Sequence, residues 1–164
     1  MDFALGVIQD RFGSEDLRMP VIPFRWTNYY QDELGDSPLR CLISLETTIS
    51  RESMPDIKLW SNAQELANAV NGKRIMNLDP GYMTLGQFFL ATTKDQRQRV
   101  YVRDGIYIEP TLYFEGSQWK PFAWTYRDWQ SEEYIQFLQV ARQRFAYQCT
   151  TGRPWSLRAS KAKS

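Results

Sequence analysis

The segment 98–126, QRVYVRDGIYIEPTLYFEGSQWKPFAWTY, constrains the fold more than any other part of the chain. Apolar and polar residues alternate along it, and the turn signals DG and EGS interrupt the alternation, which is typical of antiparallel strands joined by hairpins. We predict a three-residue loop at 103–105, with Gly105 at a positive φ, because this register puts the aliphatic residues on one face. That face carries two predicted cross-strand pairs: Val102 with Ile106 and Val100 with Ile108.

The other face of this predicted sheet is aromatic and charged. A second, tight turn is predicted at Gly116-Ser117, where EGS again supplies turn-forming residues. The predicted neighbours on this face are Tyr101 and Tyr107, Arg99 and Glu109, Lys120 and Tyr113, and Trp124 near Glu109.

Helices and further strands flank the hairpins. Helical spacing of apolar residues predicts helices over 2–12 and 56–72, and a third helix that begins after Ser131 as the N-cap. The buried stripe of the third helix is predicted to be Tyr134, Phe137, Leu138, Ala141 and Phe145. Extended segments are predicted at 17–26, 39–46 and 73–78.

The length of 164 residues fits one domain. We place that domain at residues 1–150. The remaining segment, 151–164, contains four basic residues and no acidic one, so we predict a basic, disordered tail.

Composition excludes several classes of chemistry. The chain has no histidine, so a Ser-His-Asp triad, a Cys-His pair and an HExxH zinc helix are excluded. Twenty basic and nineteen acidic residues give a formal charge of +1, which provides no overall attraction to nucleic acid or to an anionic membrane. Without a membrane-spanning run or a leader sequence, the cytoplasm is the expected location. Cys41 and Cys149 are in no CxxC pattern, and neither a disulfide nor a metal site is expected from them.

The stretch NLDPGYMT supplies the first candidate site residues, Asp79 and Tyr82, and Thr84 follows them. Pro80 followed by Gly81 fits a type II turn, and a purely structural turn is one interpretation. The other is that Asp79, at the end of the predicted strand 73–78, faces a ligand, since strand ends commonly carry binding residues.

The stretch ATTKDQRQR supplies the second set of candidates. Its hydroxyl and basic side chains are suited to a phosphate group, although a solvated loop would have the same composition. The candidates are Thr92, Thr93, Lys94 and Arg99. A third possibility is the aromatic face around Tyr107 and Glu109, which could stack on a base or another flat ligand. No GxxxxGK[ST] phosphate loop is present.

Several motifs in fixed order give the chain a family resemblance: NLDPGY, ATTK, GIYxExTL and WTYxDxxSEEYI. Over residues 1–148 the chain resembles a bacterial family of unknown function, whose members are sometimes labelled "GTP-binding protein". The residues do not support that label, because TKDQ places its acid one position too early for a guanine-reading T-K-x-D. The family tends to have a histidine where Gln98 stands, and it usually begins with an apolar strand before the first helix.

With that first strand restored, the resemblance implies an α+β domain. Its first half would be ferredoxin-like, followed by an antiparallel β-meander and a C-terminal helix. A chain without that strand would leave the strand at 39–46 with an open edge, so we expect either a longer natural N-terminus, another segment in the gap, or a homodimer.

The function expected from these observations is binding of a small anionic ligand, such as a nucleotide or phosphate ester, near the DPGY turn and the ATTK loop. Mg²⁺ on Asp79 and Glu109 is a possible addition. The alternatives are a protein-interaction module and a single-stranded RNA binder that uses the aromatic face. Whether the protein is an enzyme is left open, since no residue pattern specifies a reaction.

Overall fold

A computed structural model describes residues 1–23 and 38–153. Within them the fold is α+β, as expected. The helices are α1 (Asp2–Phe12), α2 (Met54–Ala67) and α3 (Glu132–Thr151), and short 3₁₀ helices span Arg51–Ser53 and Arg127–Gln130. The strands are β1 (Glu15–Arg18), β2 (Ile22–Pro23), β3 (Leu39–Arg40), β4 (Ile43–Leu45), β5 (Gly81–Met83), β6 (Gln87–Thr92), β7 (Val100–Arg103), β8 (Ile106–Glu115) and β9 (Gln118–Pro121).

Five of these strands form one antiparallel sheet around the long strand β8. On one side β8 pairs with β6, which pairs in turn with β5. Its other side is shared, because β7 pairs with its first half and β9 with its second half. The meander and the C-terminal helix predicted from the sequence are therefore present.

The first hairpin has the predicted pairs but a different turn. Val100 lies opposite Ile108 and Tyr101 opposite Tyr107, as predicted, whereas Ile106 pairs with Arg103 and not with Val102. Asp104 and Gly105 both have positive φ, 53° and 73°, which is the conformation of a two-residue type I′ turn. A bulge at residue 102 restores the register beyond it. The predicted three-residue loop is therefore wrong, and the bulge explains why the outer pairs are nevertheless as predicted.

The second hairpin is as predicted. Gly116 and Ser117 both have positive φ, and the register places Lys120 opposite Tyr113. Trp124 lies close to the predicted position, since its indole N–H donates to the carbonyl of Pro110, the residue after Glu109.

The first half of the chain is arranged differently from a ferredoxin-like sheet. Among the described residues, β1 pairs with β4 and β2 with β3, as two separate two-stranded sheets. The predicted strand 39–46 is thus divided in two, and the predicted segment 17–26 contributes only Leu17–Arg18 and β2 before the described residues end at 23. Among the described strands, β3 pairs only with β2 and β4 only with β1, so the homodimer expected from an open edge stays a prediction.

The segment between α2 and β5 also differs from the prediction. Helix α2 ends at Ala67, and Asn71 and Gly72 both have positive φ in a tight turn that brings Val70 beside Lys73. Residues 74–80 form no strand, so the predicted strand 73–78 is wrong. The dipeptide Asn71-Gly72 is a strong turn signal. It forms a separate turn after the helix has ended, so Gly72 is not the residue that terminates the helix.

Gly81 is needed for a close backbone approach and not for a type II turn. It is absent from the residues with positive φ, although a type II turn requires positive φ at this position. It pairs with Leu90 in the sheet, and a Cβ atom on it would lie 2.5 Å from the backbone oxygen of Phe89. The predicted type II turn at Asp79-Pro80-Gly81 is therefore wrong.

The substitution Gly81→Ala is expected to lower the free energy of unfolding by about 1–3 kcal/mol, because the new methyl group meets fixed backbone. Gly86→Ala is the matched control, since its Cβ would meet nothing within 4 Å and its stability should change by less than about 0.5 kcal/mol. Urea unfolding of both variants measures the difference. Equal stability of the two would contradict the close contact at Gly81.

Two buried apolar clusters form the core. The larger contains Phe88, Leu112, Trp119, Trp129 and the inner face of α3, and the smaller contains Met54, Ala91 and Ile106. The predicted stripe of α3 is confirmed, with Tyr134, Phe137, Leu138 and Ala141 buried and Phe145 half-buried.

The ends of α3 refine two further predictions. Ser131 occupies the N-cap position, but its hydroxyl makes no capping hydrogen bond. The helix continues to Thr151, the first residue of the predicted tail, and residues 154–164 lie outside the described part of the chain.

Both Cys41 and Cys149 are free thiols. In the described ranges, none of the helices is both long enough and apolar enough to cross a bilayer.

Candidate functional site

A polar cavity of about 750 Å³ lies between α2, the segment 74–79, β6 with the loop that follows it, and the 3₁₀ helix at 127–130. Six basic and four acidic side chains line it, an excess of two positive charges. The basic ones are Arg40, Lys58, Arg74, Lys94, Arg99 and Arg127, and the acidic ones are Glu65, Asp79, Glu109 and Asp128.

The polar cavity brings together six of the eight residues that the sequence identified as candidates. They come from three separate segments of the chain: Asp79 from the first, Thr92, Thr93, Lys94 and Arg99 from the second, and Glu109 from the third. Tyr82 and Tyr107 do not line this cavity.

The ion pair between Arg99 and Glu109, predicted from the hairpin register, forms one wall. Arg99 Nε lies 2.7 Å from Glu109 Oε2, and the two side chains are only 7% and 3% exposed. Gln98 Nε2 donates to the same carboxylate oxygen at 3.1 Å. Both charges are buried, so each needs the other as its partner, since an unpaired charge at this depth is strongly destabilising.

Arg99 also fixes the loop that carries the candidate phosphate ligands. Its NH1 donates to the carbonyl of Lys94 at 2.9 Å, and the hydroxyl of Thr92 accepts from the backbone N–H of Lys94 at 3.2 Å. Lys94 and Thr93 are exposed, while Thr92 is half-buried. The loop thus has a held backbone and exposed polar side chains.

A second wall comes from the inner face of α2, which is polar. Lys58 and Glu65 are both buried on it. Lys58 Nζ donates to the carbonyl of Leu78 at 3.1 Å, and Glu65 Oε1 accepts from the N–H of Leu78 at 2.6 Å. Arg74 NH1 lies 2.9 Å from Glu65 Oε2. The segment 74–79 has no strand partners, so these side chains supply the hydrogen bonds that a strand would have given it.

Asp79 lies at the rim of the polar cavity, before β5 and not at the end of a strand. Its side chain is 46% exposed, and Oδ1 lies 3.9 Å from Lys58 Nζ. Its Oδ2 accepts from Asn77 Nδ2 at 2.7 Å. Asp79 therefore helps to set the position of Lys58 and retains contact with solvent.

The third wall contains a partly buried ion pair that links β3 to the 3₁₀ helix. Arg40 NH1 lies 2.5 Å from Asp128 Oδ2. Burial opposes the charge on Arg40, but the neighbouring Tyr134 and Asp128 raise its pKa above the usual value. Burial also raises the pKa of the Tyr134 hydroxyl, against the opposing effect of Arg40. The guanidinium at this wall is therefore permanently charged and the phenol neutral.

The two tyrosines among the candidates lie elsewhere. Tyr82 stacks on Phe89 with ring centroids 4.7 Å apart and packs beside the smaller core cluster. Tyr107 packs edge-to-face on Tyr101, and partial burial together with the negative charge of Asp95 raises its pKa. Neither ring lines the polar cavity, and their expected contact with a ligand stays a prediction.

The aromatic face predicted for stacking consists largely of rings that pack on one another. Phe122 stacks on Trp124 with an interplanar angle of 2°, and Tyr113 packs against Phe122. This mutual packing covers ring surface that a base would need.

The two carboxylates suggested for Mg²⁺ already face cations, Lys58 for Asp79 and Arg99 for Glu109. Within residues 1–23 and 38–153, no group of three or more His, Cys, Asp or Glu side chains is placed to hold a metal ion. The geometry therefore gives the magnesium hypothesis no support.

Comparison with known proteins identifies the family. Residues 2–145 match the family described as "Domain of unknown function (DUF4416)". The chain belongs to this family. No curated protein and no solved structure shows significant similarity to it.

The DUF4416 match includes all the segments that build the polar cavity up to the 3₁₀ helix at 127–130. Three of the four motifs noted in the sequence supply predicted candidate residues that line that cavity. They are Asp79 in NLDPGY, Thr92 to Lys94 in ATTK, and Glu109 in GIYxExTL. The fourth, WTYxDxxSEEYI, contributes Asp128, which sequence reasoning did not select.

Sequence reasoning also missed the residues of α2 that line the polar cavity. A usable signal existed, because Lys58, Ser61 and Glu65 lie three and four residues apart and so share one helical face. All three are buried. A polar stripe on the inner side of a helix is unusual, and it indicates that the helix packs against a polar group or segment.

Proposed function

We propose that this DUF4416 protein binds a small anionic ligand, a nucleotide or another phosphate ester, in the polar cavity. The observation that carries the proposal is the convergence of Asp79, the 92–94 loop, Arg99 and Glu109 on one cavity that has an excess of two positive charges.

The charges in the polar cavity differ in how they are held. Arg40 and Arg99 are fixed by buried carboxylates, which leaves them little freedom to reach a ligand. Lys94 is exposed to solvent at the cavity, and lysine presents a compact point charge that suits a phosphate group. We therefore assign the direct contact with the anion to Lys94 and the threonines beside it, and the positioning of that loop to Arg99.

The size of the polar cavity agrees with this ligand class. At about 750 Å³ it falls in the range of about 300–1,000 Å³ that small-molecule sites occupy. Arg127, which is exposed and also lines the cavity, provides a second cationic group for a ligand with more than one charge. No reaction is proposed. The cytoplasm, where such ligands are abundant, remains the proposed location.

The test is a thermal-shift panel of inorganic phosphate, pyrophosphate, nucleoside mono-, di- and triphosphates, Mg²⁺ alone and single-stranded RNA. A ligand at 100 times its Kd stabilises the folded protein by about 2.7 kcal/mol, which corresponds to about 5–10 °C in a domain of this size. At least one phosphate compound is expected to reach this shift without Mg²⁺.

Lys94→Gln is expected to weaken the binding of that compound about 10- to 100-fold, the equivalent of one charged hydrogen bond, without changing the melting temperature of the free protein. Lys73→Gln is the matched control, because Lys73 is exposed and does not line the polar cavity. Isothermal titration of both variants measures the difference. Equal affinities for the two variants would contradict the assignment of the site.

The alternative of a protein-interaction module is favoured by one observation. Three consecutive residues of β7, Val100, Tyr101 and Val102, are 66%, 58% and 45% exposed, and an exposed apolar edge strand is a common pairing surface. This alternative would be favoured by two results together. No compound in the small-molecule panel would shift the melting temperature, and sedimentation would show a dimer that Val102→Lys dissociates. A response to single-stranded RNA alone would favour the RNA-binding one.

A further inference from the structure

Helix α2 exposes apolar residues on its outer side. The side that packs against the segment 74–79 is polar, whereas Leu59 and Leu66 on the other side are 40% and 76% exposed. Ala63, between them, is also exposed. Steps of four and three residues place these three side chains on one face, which we refer to as the outer stripe. An apolar helix stripe normally faces the core, and an exposed apolar patch marks an interaction surface.

The outer stripe has a shape that fits a second copy of itself. It places one leucine about a turn to each side of a small alanine. When two such helices pack antiparallel about a two-fold axis beside Ala63, Leu59 meets Leu66 of the partner subunit, and the same contact recurs across the axis. The alanines then lie at the crossing, where small side chains let two helices approach closely. A closed two-fold dimer uses the same patch on both subunits, and this arrangement satisfies that condition.

Charges at the two ends of the outer stripe favour the antiparallel direction. Glu52 lies just before α2 and Lys73 just after it, and both are exposed. Among the described residues, neither has an ion-pair partner. Arg51, next to Glu52, is close enough to Tyr82 to interact with it electrostatically. An antiparallel pair places Glu52 near Lys73 of the partner subunit and sets the two helix dipoles in opposite directions, whereas a parallel pair would place like charges together.

We propose that this protein forms a homodimer in which two copies pack the outer stripe of α2 antiparallel about a two-fold axis near Ala63. The polar cavity is lined by the inner face of α2, so this surface is separate from the proposed anion site and the dimer does not depend on the proposed function. A single helix gives an interface at the low end of the usual size range. The dimer is therefore expected to have a micromolar Kd and to dissociate on dilution.

The first test is sedimentation equilibrium of the unmodified chain from about 1 to 500 µM, a range that brackets a micromolar Kd. The average mass is expected to rise from that of one chain towards that of two. Leu66→Glu is expected to weaken the dimer at least about 100-fold, because the two-fold symmetry removes the buried leucine twice. Leu66 is 76% exposed in the single chain, so the variant is expected to keep the wild-type melting temperature in dilute solution.

Two variants control for a general effect of the added charge. Val140→Glu changes an exposed apolar residue on a different helix, α3, and Val102→Lys changes the edge strand β7. Both are expected to dimerise like the wild type. A chain that stays monomeric over the whole range overturns the proposal, and so does a dimer that persists in Leu66→Glu. A dimer that Val102→Lys dissociates and Leu66→Glu does not also overturns it and assigns the interface to β7.

The second test determines the direction of packing by disulfide formation at a protein concentration above the measured Kd. A Cys149→Ser background removes the exposed native thiol. Ala63→Cys lies beside the two-fold axis and is expected to cross-link to its own copy. Ala67→Cys, also exposed on α2, is the control, because its two copies lie about 12 Å apart along the axis in the antiparallel dimer. Failure of Ala63→Cys to cross-link, or equal cross-linking of the two variants, overturns the antiparallel packing.

Discussion

The variant Arg99→Ala is expected to lose about 3–5 kcal/mol of unfolding free energy, because it leaves the buried carboxylate of Glu109 without its cation. It also removes the hydrogen bond from NH1 to the carbonyl of Lys94, which frees the 92–99 loop. With about 2–4 °C per kcal/mol for a domain of this size, the melting temperature should fall by about 6–20 °C. Denaturant unfolding at pH 7 measures the loss.

Arg103→Ala serves as the control for this prediction. Arg103 also pairs with carboxylates, Asp56 and Asp104, but its side chain is 42% exposed, and solvent screens such pairs. Its substitution should leave the melting temperature unchanged within error.

A double-mutant cycle isolates the pair itself. Once Arg99 is absent, removing Glu109 as well should restore part of the lost stability, so the two effects should deviate from additivity by at least about 1 kcal/mol. Additivity within about 0.3 kcal/mol would mean that the two residues do not form the pair.

The variant Glu65→Ala is expected to lose about 2–4 kcal/mol, because two groups lose their acceptor at once. The N–H of the buried Leu78 becomes unsatisfied, and Arg74 loses its carboxylate. Arg74 is 32% exposed, so water compensates for part of its loss. Because Glu65 holds the segment 74–79 through the N–H of Leu78, amide hydrogen exchange at these residues should also accelerate.

The matched variants for Glu65 separate charge from shape. Glu65→Gln retains an acceptor for the N–H of Leu78 but loses the charge, and its stability should lie between those of the wild type and Glu65→Ala. Glu52, exposed on the preceding 3₁₀ turn, provides a control whose alanine variant should be close to wild type. A Glu65→Ala protein as stable as the Glu52→Ala protein would contradict this role.

The hairpins and the Arg99–Glu109 pair could be predicted because their causes are local. Alternation with period two, the DG and GS turns and the pairing of opposite charges all operate within about twenty residues of the chain. The error at residue 102 was small, because a bulge shifts the register by one residue without leaving any trace in the alternation.

The segment 74–80 could not be predicted in the same way. Its run RIMNL resembles a strand, but what determines its conformation is long-range, namely the donors and acceptors that Lys58 and Glu65 supply from α2. Because of this error Asp79 was expected at the end of a strand, whereas it lies before the start of β5. Asp79 nevertheless lines the predicted cavity, because the cavity is built around the segment and not around a strand end.

Arg40, Arg74, Arg127 and Asp128 were missed because they come from three segments that are far apart in the chain. Each is an ordinary charged residue in its own sequence context. Only the tertiary arrangement of β3, the 74–79 segment and the 3₁₀ helix gives them a common site, and no periodic pattern encodes that arrangement.

Titration of the ¹⁵N-labelled protein with inorganic pyrophosphate, followed through its amide resonances, tests the central claim most directly. Saturable shifts are predicted at Thr92 to Lys94, with smaller ones at Asp79 and Arg127, and Lys94→Gln should weaken them about 10- to 100-fold. At about 10 mM pyrophosphate any Kd below about 1 mM would give near-saturation. If these residues show no saturable shifts up to that concentration, or if the shifts are confined to another surface, the claim that the polar cavity is an anion site is contradicted.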